Sequence, residues 1–193
     1  MEELIIFFVI VLLIISIMNI IKRNKDIIYV KSNTDGRKYL VRKLSDSQEA
    51  SEKLAELNIK IKKIIDKSLT IKDHPTIDRL NRYNPDTLSE TIPGSKYTSY
   101  SVNKGESIAI CLRHKDNSFM EWNTIIFVTL HEIAHILTVE EQHPPIFWKN
   151  MKFLLEQAEE IGLYVPVDYS KTPEEYCGMQ ISSSPYDFEK KDN

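Results

Sequence analysis

The chain has 193 residues, 42% hydrophobic and 27% charged, a composition typical of one modest globular domain with short additions. Its formal net charge of −3 gives no general attraction for nucleic acid, so no nucleic-acid partner is expected. Two distant cysteines, Cys111 and Cys177, exclude a disulfide-rich scaffold and favour a reducing compartment, although a single bridge between them stays open.

The N-terminus contains the most apolar segment of the chain. Residues 4–21 carry no charge and would form a helix about 27 Å long, close to the thickness of a bilayer core. Two acidic residues precede the segment, and basic residues follow it within residues 22–25. This pattern predicts that residues 1–25 are a single-pass transmembrane anchor and that residues 26–193 form a domain on the cytosolic side.

A hairpin and a long helix are predicted next. The segment "IIYVKSNTDGRKYLVRKL" is typical of two short strands joined by a turn at Asp35-Gly36. The helix after it begins at Ser45 or Asp46, with Glu49 as the capping-box partner. Apolar residues recur in this helix every three or four positions and predict one buried face: Ala50, Leu54, Leu57, Ile61 and Ile64.

Two further strands and two further helices complete the predicted fold. The segment "SKYTSYSVNKGESIAICLRH" indicates strands around a turn at residues 103–105, and the second strand alternates as if one face were buried. Helical periodicity follows over residues 123–139 and again over residues 145–161. We therefore predict an α+β fold in which a small antiparallel sheet packs on the helix of residues 123–139 and on supporting helices, preceded by one transmembrane helix.

The sequence "HEIAH" at residues 131–135 carries the chemistry. On a helix, His131 and His135 lie one turn apart on the same face, so each can offer a ring nitrogen to one Zn²⁺ ion. Glu132 lies beside that face, where its carboxylate can reach a zinc-bound water and act as the general base of peptide hydrolysis. The HExxH pattern therefore predicts a zinc cofactor and a hydrolase.

Two ligands leave the zinc site incomplete, because a catalytic zinc usually takes three protein ligands and one water. A metzincin is excluded, since the glycine and third histidine of that class are missing at the required spacing. A gluzincin would use a glutamate of the next helix, namely Glu156, Glu159 or Glu160. The other candidate is His143, which precedes two prolines that force the chain to turn near it.

The motif "HEIAH" followed by "HPPIFW" resembles the HExxH…HxxxFW arrangement of WLM and SprT-like zinc peptidases, which are small relatives of the gluzincins. The spacing between the two motifs is two residues longer than the commonest WLM spacing. The resemblance implies a base at Glu132 and packing roles for Phe147 and Trp148. It also implies three zinc ligands: His131, His135 and His143.

Several segments within residues 78–185 resemble uncharacterised metallopeptidases of large DNA viruses: "NPDTLSE", "YTSYSVNKGE", "NTIIFVTLHEIAH" and "DYSKTPEEYCGMQI". Many proteins of that group have an N-terminal membrane segment. Some WLM and SprT-like proteases act on proteins crosslinked to DNA, but this chain has neither a basic patch nor a zinc-finger pattern, so such substrates are not expected.

The tail supplies further candidates. Tyr176 or Tyr169 is a candidate hydrogen-bond donor to the reaction oxyanion, with packing in the core as the alternative for both. Asp168 is a candidate for orienting a zinc-bound histidine, with a surface turn as the alternative. The strand of residues 107–112 is expected to be the edge strand that pairs with an extended substrate.

Together these features predict a membrane-anchored zinc metalloendopeptidase that acts on a protein or peptide substrate. One rival is a catalytically silent, zinc-stabilised binding module close to a membrane. Another is an anchored scaffold without any metal. An intact Glu132 favours the enzyme, because a purely structural zinc site has no use for a base.

Overall fold

The computed structural model describes residues 1–92, 95, 97–186 and 188, apart from the side chains of residues 2, 3 and 17–25. The predicted domain of residues 26–193 therefore ends in residues that are not described, namely residue 187 and residues 189–193. The described part contains four α-helices, two 3₁₀ helices, a five-stranded sheet and a separate two-stranded hairpin.

The five-stranded sheet has the strand order β1-β2-β3-β5-β4. Its strands are β1 (Ile27–Lys31), β2 (Lys38–Arg42), β3 (Leu88–Glu90), β4 (Tyr100–Val102) and β5 (Ser107–Ile110). The predicted hairpins are confirmed, because β1 with β2 and β4 with β5 are antiparallel. The expectation of a wholly antiparallel sheet is wrong, since β3 runs parallel to both β2 and β5.

The long connection between β2 and β3 explains the parallel pairing. It contains helix α2 (Ser47–Ser68) and two 3₁₀ helices (Ile77–Arg82 and Pro85–Thr87). A connection of this length carries the chain over the sheet and returns it in the same direction, whereas a tight turn would reverse it. The pattern of apolar and polar residues within each strand does not indicate this crossover.

Helix α2 packs on the sheet through its predicted apolar stripe. The five stripe residues are all fully buried: Ala50, Leu54, Leu57, Ile61 and Ile64. The predicted capping box is wrong, because Asp46 occupies the N-cap position without a capping hydrogen bond. Its carboxylate instead accepts two hydrogen bonds from the guanidinium of Arg113, a stronger partner than a backbone amide.

Helices α3 (Trp122–Leu137) and α4 (Pro145–Glu160) pack against each other. Helix α3 also contacts α2, β4 and β5, so it lies in the middle of the core. Gly162 ends α4 in the left-handed region with φ of +70°, as the sequence predicts for a helix stop. Both predicted helices are confirmed to within two residues at each end.

Strand β5 is more deeply buried than expected. Every residue from Ile108 to Arg113 is buried, on both faces, because β5 lies between β3 and β4 and beneath α3. The expectation that residues 107–112 form the edge strand is therefore wrong. Among the described strands, β4 lies at that edge of the sheet.

The tail folds back onto the domain as a second hairpin, β6 (Glu174–Tyr176) and β7 (Met179–Ile181). Its turn contains Cys177, which forms a disulfide with Cys111 at the end of β5, the two Cα atoms being 6.4 Å apart. The bridge that the sequence left open therefore forms in the structure. The two cysteines are 66 residues apart, so only the folding of the tail across β5 brings them together.

The predicted membrane anchor is not supported. Residues near the N-terminus form helix α1 (Glu2–Lys25), but the described residues contain no helix long and apolar enough to cross a membrane. The basic residues 22–25 lie outside the described side chains. The prediction of a single-pass membrane protein with its domain on the cytosolic side is therefore wrong.

Candidate metal and active site

The HEIAH segment lies in the C-terminal half of α3. Because residues four apart on a helix share a face, His131 and His135 project side by side, with ring centroids 5.2 Å apart. Both side chains are half-buried. The helix therefore presents two imidazoles to the same cleft, as the sequence spacing predicts.

A sharp turn after α3 places His143 against these two residues. Gln142 adopts the left-handed conformation with φ of +64°, and Pro144 then precedes α4. The Nε2 atoms of His143 and His131 lie 3.0 Å apart. In a tetrahedral zinc site with bonds of 2.0–2.1 Å, two ligand nitrogens would be about 3.3 Å apart. The observed spacing is close to this value.

The three histidines together form a group that could hold a metal ion. Their candidate ligand atoms all lie within 4.8 Å of one another. Imidazole nitrogen suits Zn²⁺, and three such ligands leave a fourth position for water or substrate. The side chains present at this site therefore fit the zinc ion that the sequence motif implies.

Phe147 forms a fully buried platform beneath the three imidazoles. Its ring centroid lies 4.8 Å from that of His131 and 4.5 Å from those of His135 and His143. Trp148 lies at the rim, 5.7 Å from His143 between ring centroids. Because both aromatic residues begin α4, they fix the distance of that helix from the histidines of α3.

Lys104 holds the segment that leads to His143. Its Nζ donates to the carbonyl oxygens of Thr138, Val139 and Glu140 at 3.0, 2.6 and 2.8 Å. These carbonyls follow the end of α3, where a cation is also favoured by the helix dipole. Sequence reasoning missed this role, since Lys104 belongs to the β4–β5 turn and no local pattern joins it to residues more than thirty positions away.

Burial lowers the pKa of each of the three histidines. The pKa of His131 falls to about 3, first through burial and then through the neighbouring imidazoles of His135 and His143. Burial and the charge of His143 lower the pKa of His135 to about 4. At neutral pH the three rings are therefore unprotonated, which is the form that binds a metal.

Glu132 is buried next to the histidines, with 6% of its surface exposed. Burial raises the pKa of its carboxyl to about 7, while a backbone hydrogen bond from Ser101 acts in the opposite direction. Ser101 belongs to β4, so this carboxylate faces the edge strand of the sheet. A carboxyl group with a pKa near 7 can both accept and release a proton at neutral pH.

The glutamates of α4 are engaged elsewhere. Glu156 lies near Lys152 at 3.8 Å, Glu159 accepts a hydrogen bond from Tyr186, and Glu160 pairs with Lys67 at 2.8 Å. None of them belongs to the group of possible metal ligands found among the described residues. The geometry thus brings His143, and no glutamate of α4, to the histidines of α3.

The tail residues suggested by the sequence lie in other surroundings. The buried Tyr176 donates to the backbone oxygen of Cys111 and lies 3.0 Å from its backbone nitrogen, so its hydroxyl is already engaged. Tyr169 is buried against Phe127, with ring centroids 4.8 Å apart. Asp168 caps a surface turn by accepting from Ser170. These contacts match the alternatives given for the three residues: core packing for Tyr176 and Tyr169, and a surface turn for Asp168.

A cleft crosses the site between the helices and the edge strand, and it has two unlike halves. One half, with a volume of about 360 Å³, has mostly apolar walls from α3, α4 and the tail hairpin. The other half, about 720 Å³, contains polar residues of the β4–β5 turn and of the segment before His143. Both halves include His131 and Glu132, which therefore lie where the two halves meet.

Comparison with known proteins gives a consistent result. Residues 34–192 match the model of the WLM domain. Uncharacterized protein R325 of Acanthamoeba polyphaga mimivirus is 35% identical over 175 residues, which cover 83% of this chain and 85% of that protein. Uncharacterized protein 136R of Invertebrate iridescent virus 6 is 42% identical over 69 residues, which cover 34% of this chain and 38% of that protein. These matches confirm the resemblance to WLM proteins and to viral relatives.

Two crystal structures of Wss1 from Saccharomyces cerevisiae are similar to part of the chain. A Wss1 mutant aligns with a TM-score of 0.46 and 22% identity, covering 64% of this chain and 92% of the other. A second Wss1 structure aligns with a TM-score of 0.34 and 26% identity, covering 39% of this chain and 62% of the other. Similarity of this extent carries no argument about the site.

Proposed function

This chain belongs to the WLM domain family, a family of metal-dependent proteases, and we propose that it is a zinc-dependent endopeptidase acting on protein or peptide substrates. One observation carries the proposal: the candidate ligand atoms of His131, His135 and His143 all lie within 4.8 Å of one another. Glu132, a buried carboxylate outside this ligand group, adjoins them in the cleft. Two histidines four apart on a helix, a carboxylate base between them and a third protein ligand are the groups that zinc peptidases of the HExxH type use.

Glu132 is the proton carrier in this proposal. A zinc ion held by the three histidines would supply Lewis acidity and lower the pKa of its water toward neutrality. Glu132 can accept a proton from the attacking water and then donate it to the nitrogen of the leaving amine. The backbone hydrogen bond from Ser101 orients this carboxylate toward the edge strand.

Strand β4 is the proposed support for the substrate backbone. As the edge of the described sheet, it offers backbone groups on the side away from β5. An extended peptide could add to that edge and so bring one of its peptide groups next to Glu132. The role of pairing with the substrate is thus assigned to β4 and not to β5, because β5 is already paired with a strand on each side.

The alternative is a catalytically silent module in which zinc only stabilises the fold. Structural zinc sites usually have four protein ligands. Here the metal-ligand group found in the described part of the chain has three members. Burial of Glu132 beside them is unfavourable for its charged form, and a silent module gains nothing from that unfavourable burial. Both features support the enzyme over the silent module.

The substitution Glu132→Gln tests the proposal. The amide keeps the size of the side chain but cannot accept the proton, so hydrolysis of unfolded casein should fall about a hundredfold or more. Zinc content after dialysis should remain that of the parent protein, because Glu132 is not a ligand in this proposal. Peptide release and metal content are measured on the same zinc-loaded samples.

A matched control is Glu140→Gln, which changes an exposed carboxylate shortly after the same helix. Its activity and its zinc content should both equal those of the parent. If the parent and Glu132→Gln bind zinc equally but cleave casein at the same rate, Glu132 is not the base and the proposed mechanism is wrong.

A further inference from the structure

The apolar half of the cleft has the dimensions of a binding pocket. Its volume of about 360 Å³ lies within the range of pockets that bury a ligand group. Its larger apolar residues come from three elements that are distant in sequence: Phe127, Val128, Trp148, Met151, Met179 and Ile181. The pocket therefore exists only when α3, α4 and the tail hairpin are assembled.

Two of these residues are unusually exposed for their type. Met179 is 56% exposed and Trp148 is 39% exposed, so both present apolar surface to the solvent at the mouth of the pocket. Apolar surface that remains open beside a cavity commonly marks a site that a ligand covers. The disulfide of Cys177 ties the hairpin that carries Met179 to β5, which holds this wall in place.

The pocket offers little compensation for a charged group. The ionisable side chains in its lining are Tyr97, His131, Glu132 and Tyr176. His131 and Glu132 belong to the site already described, and the buried hydroxyl of Tyr176 donates to the backbone oxygen of Cys111. A charged side chain that entered the pocket would lose its water without gaining a committed partner, at a considerable free-energy cost.

The pocket is continuous with the proposed catalytic groups, because His131 and Glu132 form part of its wall. A side chain bound in the pocket therefore lies beside the position at which Glu132 would accept and donate protons. The opposite half of the cleft is larger and is lined in addition by the charged side chains of Lys104 and Glu141. The two sides of the bond to be cleaved thus meet walls of different chemistry.

We propose that this pocket binds an apolar side chain, of the size of leucine or phenylalanine, on the substrate residue adjacent to the cleaved bond. This inference rests on the proposed peptidase function and adds a substrate class to it. The pocket selects by shape and desolvation, and the larger half of the cleft accepts the residues on the other side of the bond. The residues that set the preference are Val128, Met179 and Ile181, which line the pocket without belonging to the catalytic group.

A peptide series tests the preference through cleavage. The peptides are identical except at one position, which carries Leu, Phe, Ala, Asp or Lys, and the products identify the bond that is cut. The zinc-loaded full chain should cleave beside Leu or Phe at least tenfold faster, as kcat/KM, than beside Asp or Lys. Equal rates across the series would overturn the inference while leaving the peptidase function intact.

Substitutions in the pocket should change this preference. Met179→Glu adds a carboxylate at the mouth and should lower the ratio of Leu to Lys cleavage roughly tenfold. Val128→Phe narrows the pocket from α3 and should shift the preference from Phe to Ala. The matched control Ile59→Glu adds the same charge to a 39% exposed position on α2 and should leave the ratio unchanged. An unchanged ratio in both pocket variants would overturn the inference.

A binding measurement separates this inference from the proposed function. Trp148 lies in the pocket wall, so its fluorescence in a Trp122→Phe background reports occupancy without any cleavage. The Leu and Phe peptides should bind to the Glu132→Gln protein at least tenfold more tightly than the Asp peptide. If the parent protein binds with this preference but cleaves nothing, the pocket is confirmed and the peptidase function fails. If it cleaves without any binding preference, the function stands and the pocket inference fails.

Discussion

Two clusters of ionisable side chains in the described part of the chain are built in opposite ways. In the first, the fully buried guanidinium of Arg113 donates to Glu90 at 2.8 Å and to Asp46 at 2.6 and 2.9 Å. In the second, at the cleft, three imidazoles face one another. Opposite charges complete the first cluster within the protein, whereas the second consists of like groups that only an added cation or a proton can complete.

This difference shows why burial of a charge does not by itself identify a functional site. Arg113 and Glu90 are at least as buried as the histidines, yet they satisfy each other and stabilise the attachment of α2 to the sheet. The cleft histidines have no such complement, and burial and mutual proximity lower the pKa of His131 and His135. Lack of internal complementarity, more than burial, points to a ligand.

Removing the cation of the first cluster should have the largest effect. Arg113→Met leaves the carboxylate of Glu90, which is 2% exposed, without a compensating positive charge, although the backbone N–H of Arg42 still donates to it at 2.8 Å. Loss of one partner of a buried ion pair typically lowers the free energy of unfolding by about 3–5 kcal/mol. Urea unfolding of the purified variant measures this change, and zinc content relative to folded protein should stay at the parent value.

Arg37→Met is the matched control, because Arg37 pairs with Asp86 at the surface at 2.8 Å and has only a longer contact, 3.4 Å, with Asp35. The Arg37 and Asp86 side chains are 42% and 72% exposed, so the loss should be below about 1 kcal/mol. Similar values for the two arginine variants would mean that the buried cluster contributes no more than a surface pair.

The second cluster should lose zinc rather than stability when a member is removed. Structural zinc binding of about 10–16 kcal/mol is shared among four ligands, so loss of one ligand costs about 3 kcal/mol, or roughly a hundredfold in affinity. His143→Ala should therefore weaken zinc binding by about that factor, whereas Glu156→Ala should leave it unchanged. Competition with a chelator dye measures both affinities. The reverse order would assign the third ligand to α4 and make His143 an ordinary loop residue.

A smaller effect is expected where Lys104 holds the segment before His143. Hydrogen bonds from a charged donor contribute about 1.5–3 kcal/mol each to stability. Because only part of this free energy serves to hold His143 in position, Lys104→Met should weaken zinc binding about tenfold. Lys104→Arg retains a cation and should restore most of the affinity. Lys62→Met, at an exposed pair with Asp66, serves as the control and should bind zinc as the parent does. Equal affinities for all three variants would remove Lys104 from the metal site.

The two clusters should also differ in the pH range over which acid destabilises the protein. The pKa of His131 is lowered to about 3 and that of His135 to about 4, so below pH 6.5 the unfolded chain binds protons that the folded, metal-free chain does not. Metal-free protein should therefore lose stability as the pH falls from about 6.5 to about 4. The hydrogen bonds from Arg113 lower the pKa of Asp46 below its ordinary value of 3.8. The stability that the Asp46 carboxylate contributes is therefore lost only at a lower pH.

Urea midpoints of the metal-free protein, measured from pH 7 to pH 3, test this separation. The decline between pH 6.5 and pH 4 should become shallower in His135→Gln, because one of the titrating groups is gone. A parent midpoint that stays constant down to pH 4 would contradict the lowered pKa values of the histidines.

Local patterns in the sequence determined the elements that carry the chemistry. The spacing of His131 and His135 places both side chains on one face wherever residues 131–135 are helical, since residues four apart share a face on any α-helix. The apolar stripe of α2 and the turns of both hairpins of the main sheet depend on interactions within a few residues. These features were predictable because each segment contains the information for its own conformation.

The tertiary structure decided how these elements combine. The parallel pairing of β3, the disulfide of Cys111 and Cys177, and the position of β4 at the edge all join segments that are tens of residues apart. The N-terminal helix shows the same limit, because its apolar composition suggested a membrane span that the described residues do not support. Composition reports the preference of a segment for apolar surroundings, and it does not say what those surroundings are.

The choice between His143 and a glutamate of α4 rests on the same physical difference. Both candidates follow the HEIAH segment at plausible distances along the chain, so the sequence alone left two ligand sets open. The choice depends on the left-handed turn at Gln142, the hydrogen bonds from Lys104 and the contact of Phe147 with all three imidazoles. Each of these contacts forms only after β4, α3 and α4 have packed together, because the sequence orders the residues along the chain while packing sets the distances between them.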